Sequence, residues 1–597
     1  MPSPDPRRFD AETDLLVIGA GAAGMTAALV GALEGLHIIL CEKSDLVGGT
    51  TATSAGTVWI PGSRQSEAAG LTDSIDAAKA YLAAMLGKDA DDERLGAFLT
   101  TGPIVLDYLE RRTSLNFVPP PLHPDYRDLP GAALRGRALC TAPFDGRKLG
   151  ADFDRLRPPR PEFTVLGGMM VGKNDIAPLL HPFRSWSNFA HATSLLARQA
   201  FDRLRFKRGT RLIMGNALAA RLLHDLKRLA VDIRYRTALK ELVKEGGEVT
   251  GAILDSPNGE CAIRARKGVV LATGGIGWSE ALRERLFPQH AGKISLLPPS
   301  NTGDGILAGE RASGVIEQQL ESPALWMPSS MMTESNGRLS VFPHILLDRA
   351  KPGLLAVDKS GQRFVNEANS YHDFVNAMLR SNRPSPSVPA YLICDRSFIS
   401  DYGLGLIHPG TRHLDRFIRA GYLFEGDTIE KLAAKTGIDG DALARTVARY
   451  NGYAETGIDQ EFGRGASALN RFNGDPGNKP NPCLRPVGPG PYFAVAVWPT
   501  DLAGSAGLRT DPDGRVLASD GIALKGLYAA GADAASIFRG TYPGPGTMIG
   551  PAIVFGWRAA MDASGRLDHY LQGIARTEPP TLDADMLESG QPRGRLC

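Results

Sequence analysis

Apolar and polar positions along the chain fall into two repeating signatures. The first is a short, wholly apolar run that ends in glycine: Leu15-Leu16-Val17-Ile18 before Gly19, Val269-Val270-Leu271-Ala272 before Gly274, and Leu527-Tyr528-Ala529-Ala530 before Gly531. Such runs predict strands buried on both faces and stopped by a turn. The second is apolar residues at helical spacing. It predicts a helix over Met25–Leu33, ended by Gly35, and helical structure across 76–112 with a stop near Thr113. Asp427-Thr428-Ile429-Glu430 reads as a capping box opening a helix to about Lys435, and Asp439 or Asp441 opens the next one, through Tyr450. Between these, 117–165 is proline-rich and irregular, a long loop or lid. Phe163–Val171 is an apolar patch that reads as core or pocket lining, and the residues after Leu571 read as a mobile tail. There are no internal repeats.

A length of 597 residues implies several domains. Glycine at 68 residues exceeds the usual ~7%, which fits a nucleotide-binding fold with many close backbone approaches. The net charge of +2 gives no footprint for nucleic acid. Six scattered cysteines with no CxxC pair make a disulfide framework or a structural metal site unexpected, and a reducing compartment fits. Arg7-Arg8 is followed at once by Asp10, Glu12 and Asp14, so a twin-arginine signal is disfavoured and a cytoplasmic protein is expected. Charge is uneven along the chain. Segment 198–236 carries +8, which reads as a solvated helical face, with attraction to an anionic membrane surface as the alternative.

The most informative unit spans residues 14–42. After the first strand come Gly19, Gly21 and Gly24 in the order G-x-G-x-x-G, then the alanine-rich helix, a second strand over His37–Leu40, and Glu42, 18 residues after Gly24. Gly19 permits the turn, Gly21 admits a pyrophosphate, Gly24 lets helix pack on strand, and the helix N-terminus attracts phosphate. Glu42 suits an adenosine ribose and disfavours the 2′-phosphate of NADP. Gly48-Gly49-Thr50-Thr51 and Ser54-Ala55-Gly56 follow the acid directly. This turn resembles the segment that runs beside the flavin in FAD-dependent oxidoreductases. The later strand-plus-glycine units then read as returns of an interrupted FAD-binding domain.

Gly526–Ala560, with its Tyr542-Pro543-Gly544-Pro545-Gly546 run, resembles the 3-ketosteroid dehydrogenases of the fumarate reductase/succinate dehydrogenase flavoprotein superfamily, as do Gly19–Glu42, Gly48-Gly49-Thr50 and Arg363-Phe364-Val365-Asn366-Glu367. The resemblance runs from about residue 12 to 562. It implies an α/β fold (α+β overall): a Rossmann-like FAD-binding domain interrupted by a substrate domain. The expected division is 1–299 for its first part, with a lid-like insertion near 127–235, then 300–498 for the substrate domain, 499–575 for the second part and 576–597 for the tail. It implies desaturation of the bond beside a cyclic ketone, a 3-ketosteroid or a smaller ring, in steroid metabolism. Tyr542 and the Gly546 N–H would hold the carbonyl, Tyr371 would take the proton and Tyr126 would assist it. FAD would lie on Gly19, Gly21, Ala22, Ala23, Gly24, Glu42, Lys43, the 48–56 turn, Ala272, Thr273, Gly274, Gly531, Asp533, Pro545, Gly546 and Ile549. In the usual pattern a polar residue follows GLYAAG. Here Ala532 follows, so contacts shift to Asp533 or are lost. No histidine stands in the 48–56 turn, so noncovalent FAD is expected. The electron acceptor is not identified by the sequence.

Two rivals follow. A fumarate-type reductase needs paired cations for two carboxylates. The candidates are His344, Arg349, His408, Arg412 and His413, and they lack that family's spacing. A flavin-binding protein without turnover is the second.

Overall fold

The glycine-terminated apolar runs form the middle of one sheet. In the computed structural model, which describes residues 9–345, 348–382 and 387–576, Ala11–Ile18 lies between Ile38–Cys41 and Gly259–Leu271 and runs parallel to both. Asp232–Arg234 adds a parallel strand outside Ile38–Cys41, and Ala523–Ala529 pairs in parallel with the end of Gly259–Leu271. Val17 stands level with Leu40 and Val270, and Leu271 with Ala529. The turns after Ile18, Leu271 and Ala529 therefore open at one edge, the carboxyl ends of the strands, where such sheets bind ligands. The runs are apolar throughout because both faces are covered. Leu15 and Val17 pack under helix Ala22–Leu33, while Leu16 and Ile18 pack into the core on the opposite side. An antiparallel hairpin, Ala238–Glu245 with Glu248–Ser256, extends the sheet from the first half of Gly259–Leu271.

A second sheet, antiparallel throughout, is built on the long strand Tyr492–Gly504. Ala390–Asp395 and Leu423–Gly426 flank its first half, and Ala324–Thr333 pairs with its second half. The division expected at 498/499 falls inside this strand, since Leu325 and Trp326 keep it in the sheet through Ala503 and Asp501. Helix Tyr371–Ser381 packs on Ala324–Thr333. Helix Ile549–Ala563 returns to the first unit and packs on Ala22–Leu33, where Gly556 lies against the Ala23 backbone.

Several elements differ from the sequence expectation. The stretch 76–112 is two helices, Ile75–Leu86 and Glu93–Arg112. Gly87 takes a φ of 57° between them, and Asp92 caps the second by accepting from the Arg94 N–H. The helix expected from Asp427 starts one residue later: Thr428 is the cap, accepting from Lys431 N–H, and the helix is Ile429–Thr436. Asp439 caps Gly440–Thr456, which outruns Tyr450 to Gly457. The loop 117–165 contains strands Phe117–Val118 and Ala138–Thr141, the latter paired with Thr57–Trp59. Phe163–Val171 forms a small hairpin, with Met169 and Met170 buried and Leu166 exposed.

The +8 segment is neither a bare solvated face nor a free basic stripe. Arg198 pairs with Asp145, Lys207 with Asp154, Arg211 with Asp175, Lys227 with Asp152 and Arg236 with Asp45. Arg221 donates to the carbonyls of Ser114, Ala142 and Pro143. The acids lie outside 198–236 in sequence, so a local count of charge missed them. Beside these cations the same region also turns apolar side chains to solvent. Helix Trp186–Arg203 buries Ala192, Leu195, Gln199 and Asp202 and turns Trp186, Phe189, Leu196 and Phe201 outward. Phe183 and Trp186 are 87% and 81% exposed, each stacked on Phe189.

Arg7-Arg8, Cys597 and residues 577–597 of the expected tail lie outside the described residues. Among the described residues no helix is long and apolar enough to cross a membrane.

Candidate active site

The cradle at the strand ends is made by backbone that tolerates no side chain. Gly19 has a φ of 105°, and a Cβ there would strike the Ala272 carbonyl; a Cβ on Gly24 would strike the Gly19 carbonyl. At Gly21, by contrast, there is open space where a Cβ would stand. Gly21 is also the N-cap of helix Ala22–Leu33, which has no side-chain cap and no acid in its first turn. A helix N-terminus with open space at its N-cap and no acid in its first turn suits a pyrophosphate. Thr51 Oγ1 accepts from Ala22 N–H at 3.0 Å and ties the 48–51 turn to the helix start. Gly49 approaches Gly21 closely, and Gly531 approaches Ala23. The structure thus brings Gly19–Gly24, Gly48–Thr51, Ala272–Gly274 and Gly531 to one place.

Other expected cofactor residues are partly engaged by the protein itself. Glu42, buried, accepts from Ala20 N–H at 3.0 Å through Oε2 and from Ser44 N–H and Oγ through Oε1. Lys43 reaches outward to Asp304 at 2.8 Å. Gly56 packs against the Met214–Gly215 backbone, Ser54 Oγ donates to the Thr51 carbonyl, and Ala55 is exposed. Asp533 is fully buried, and both oxygens are occupied: Oδ2 accepts from Thr273 N–H at 2.6 Å and Oδ1 from Gly275 N–H at 3.0 Å. It locks the second and third strand ends together. Burial pushes its carboxyl above the ordinary range, against those donors. Asn301, which no motif marked, bridges Thr50 and the Gly274 carbonyl. Its signal is geometric alone, since it lies 251 residues from Thr50.

The three tyrosines singled out by sequence meet. Tyr371 is the first residue of helix Tyr371–Ser381, whose N-cap Ser370 accepts from Asp373 N–H. Its hydroxyl lies 2.9 Å from that of Tyr542 and 3.1 Å from that of Tyr126. All three rings are buried and packed edge-to-face, with centroids 5.2 to 5.8 Å apart. Tyr542 lies in the Thr541–Gly546 loop, which grips its neighbours through backbone: Pro543 O accepts from Tyr126 N–H at 2.9 Å and from Tyr81 Oη at 2.7 Å. Gly546, with a φ of 97°, leaves no room for a Cβ beside Thr57 and Trp59, and its carbonyl accepts from Trp59 N–H. Pro545 is buried behind it, and Ile549 opens the following helix.

Burial raises all three phenols well above their ordinary value. At Tyr371 the Tyr542 hydroxyl and the Arg349 charge pull the other way. Arg349 is itself buried and held by the carbonyls of His344, Glu367 and Asn369. Burial lowers it to about 10. His344 is buried between Asp348 and Ser330. His408, Arg412 and His413 are exposed. The five cations considered for a dicarboxylate therefore do not converge on one open site.

The sequence profile of the FAD binding domain matches residues 14–549. The chain is 38% identical to 4-oxocyclohex-2-ene-1-carboxylate 5-dehydrogenase of Sinomonas cyclohexanicum, over 92% of this chain and 93% of that one. It is 36% identical to 3-oxosteroid 1-dehydrogenase of Mycobacterium tuberculosis, over 92% and 98%. The crystal structure of 3-ketosteroid delta1-dehydrogenase from Sterolibacterium denitrificans, in complex with 1,4-androstadiene-3,17-dione, superposes with a TM-score of 0.86 at 34% identity, covering 93% of this chain and 99% of that one. The FAD binding domain match and these relatives place the chain among the FAD-dependent oxidoreductases acting on CH–CH groups. Within that class the chain belongs to the 3-ketosteroid dehydrogenase family of the fumarate reductase/succinate dehydrogenase flavoprotein superfamily.

Proposed function

We propose that the protein desaturates the C1–C2 bond beside the carbonyl of a 3-ketosteroid. The observation that carries this reading is the chain of three buried hydroxyls, Tyr126–Tyr371–Tyr542, drawn from three distant segments. A C–H beside a ketone loses its proton readily only if the developing enolate is stabilised and a base is in place. Tyr371 donates to Tyr542 in this arrangement, which leaves the Tyr542 proton free to point at a carbonyl oxygen. Tyr542, with Gly546 N–H, holds that oxygen. Tyr371 acts once it is ionised, its own proton having left through Tyr126: the phenolate, steadied by the Tyr126 O–H, takes the proton from the adjacent carbon and becomes a neutral phenol again, and Tyr126 carries that proton away before the next turnover. Bound FAD supplies the hydride acceptor. The Gly19–Gly24 turn, Thr50, Thr51 and Gly531 would hold it noncovalently, with Glu42 on the ribose.

Anaerobic mixing of the yellow holoenzyme with 4-androstene-3,17-dione should bleach the flavin, and fumarate should not reoxidise it. No bleaching by the steroid would overturn the steroid reading. A second substrate reading, a single-ring ketone carrying a carboxylate, is favoured by the Sinomonas relative. Bleaching by 4-oxocyclohexanecarboxylate alone would select it.

A contact with anionic membrane lipid belongs to the same reading, because a sterol-like substrate partitions into bilayers. It was expected through 198–236. Many of the charges there are paired, so the support moves to the outward face Phe183, Trp186 and Phe189, with exposed Arg184 beside it. Binding to anionic over neutral vesicles, lost in Trp186→Ser, would support it; equal binding to both would overturn it.

A further inference from the structure

Four consecutive residues around Tyr126 are each anchored to a different part of the molecule. Asp125 is buried and accepts from Trp59 Nε1 at 2.8 Å, Arg137 at 2.7 Å and Ala133 N–H at 2.9 Å, all within the flavin part. Tyr126 donates its N–H to Pro543 of the C-terminal loop. Arg127 donates its N–H to Tyr81 Oη at 3.3 Å, while its guanidinium pairs with Asp373 at 2.6 Å, two residues beyond Tyr371. Asp128 accepts from Ala468 N–H at 3.0 Å, at the start of helix Ala468–Asn473 of the substrate part. The backbone carrying Tyr126 is thus fixed on one side to the flavin part and on the other to two helices of the substrate part.

We propose that Asp125–Asp128 is a clasp between the two parts, and that Arg127 and Asp373 are positioning residues that set the Tyr126–Tyr371 contact when the parts close. The argument rests on geometry. The two phenols belong to different parts, and their 3.1 Å approach has no covalent restraint shorter than 245 residues. The Arg127–Asp373 pair spans the same gap, one residue from Tyr126 and two from Tyr371. It is only partly exposed, at 34% and 17%, so salt screens it incompletely. Asp373 also accepts from Ser370 Oγ at 2.9 Å, which locks the cap from which Tyr371 projects. The inference rests on the tyrosine reading above.

The test uses holoenzyme variants Arg127→Met, Asp373→Asn and the double variant, with 4-androstene-3,17-dione as the probe ketone. Asparagine keeps an acceptor for Ser370, so the cap survives. Single-turnover flavin reduction should slow roughly tenfold or more in each single variant, with flavin content unchanged. The double variant should be no slower than the slower single, because one interaction is lost in all three. Arg127→Lys should recover part of the rate. Independently of turnover, amide hydrogen exchange over 123–129 should quicken in Asp373→Asn. Single variants within twofold of wild type, or effects that multiply in the double, would overturn the clasp, as would unchanged exchange at 123–129. Tyr371→Phe run alongside separates the two claims. A near-wild-type rate there removes the tyrosine reading, and the clasp is then decided by the exchange data alone.

Discussion

At the level of single residues, the site depends on how a phenol becomes a base. Burial holds Tyr371 mainly protonated at neutral pH, because the charged form is costly away from water. The fraction able to accept a proton therefore grows with pH. Flavin reduction by the ketone should rise up to tenfold per pH unit through the alkaline range, without a plateau below the ordinary tyrosine value near ~10. A flat profile between pH 7 and 10 would place the base elsewhere. Tyr371→Phe keeps the ring packing and removes the oxygen, so reduction should fall by roughly 10²–10⁴, the usual worth of a positioned base. Exchange of the substrate's α-hydrogen should fall with it. A loss of stability with a near-normal rate would make Tyr371 packing alone. Tyr542→Phe removes a donor from the developing enolate and should cost about 10²–10³ in rate while FAD stays bound. All three tyrosines were legible only through a resemblance, since nothing in the residues around Tyr126 or Tyr371 marks a catalytic phenol.

Elements were legible where local chemistry decides them. The strand–turn–helix at 15–33 is fixed by an apolar run, by Gly19 and Gly24 where any side chain would collide with backbone, and by an alanine-rich helix. Gly24→Ala should consequently give protein that fails to retain FAD, as read from flavin content after gel filtration. Full occupancy would mean that helix and strand separate without loss of the cradle. Glu42→Ala should weaken FAD by roughly 1.5–3 kcal/mol if its carboxylate bonds the ribose. Unchanged affinity would confine Glu42 to its contacts with Ala20 and Ser44. Elements were misread where a single residue competes with the pattern. Gly87 breaks an otherwise continuous helical spacing, and Thr428 rather than Asp427 takes the cap. The basic segment was only partly read because charge was counted along the chain, whereas Asp45, Asp145, Asp152, Asp154 and Asp175 pair with five of its cations across space.

For the whole molecule, the cradle joins what the sequence separates. Gly19–Thr51, Ala272–Gly274 and Gly531 converge at one sheet edge, cross-linked by Asp533 and Asn301, neither of which local pattern assigns to that task. A ligand seated there touches segments more than 500 residues apart, and it binds the folded state alone. Its free energy of binding therefore adds to the stability of the fold. At a free FAD concentration a hundredfold above Kd the gain is about 2.7 kcal/mol. Acid or mild denaturant should release the flavin as free FAD, because no residue in the 48–56 turn is a histidine. Apoprotein prepared in this way should unfold several degrees below the holoprotein, and FAD should restore Tm in proportion to the logarithm of its concentration. Adenosine diphosphate, which carries the ribose and pyrophosphate but no isoalloxazine, should recover part of the shift through Gly21 and Glu42. Flavin that remains with the denatured chain would refute noncovalent binding. Apo- and holoprotein with equal Tm would mean that the sheet edge is assembled by Asp533 and Asn301 alone, with the cofactor contributing nothing to holding the two halves of its domain together.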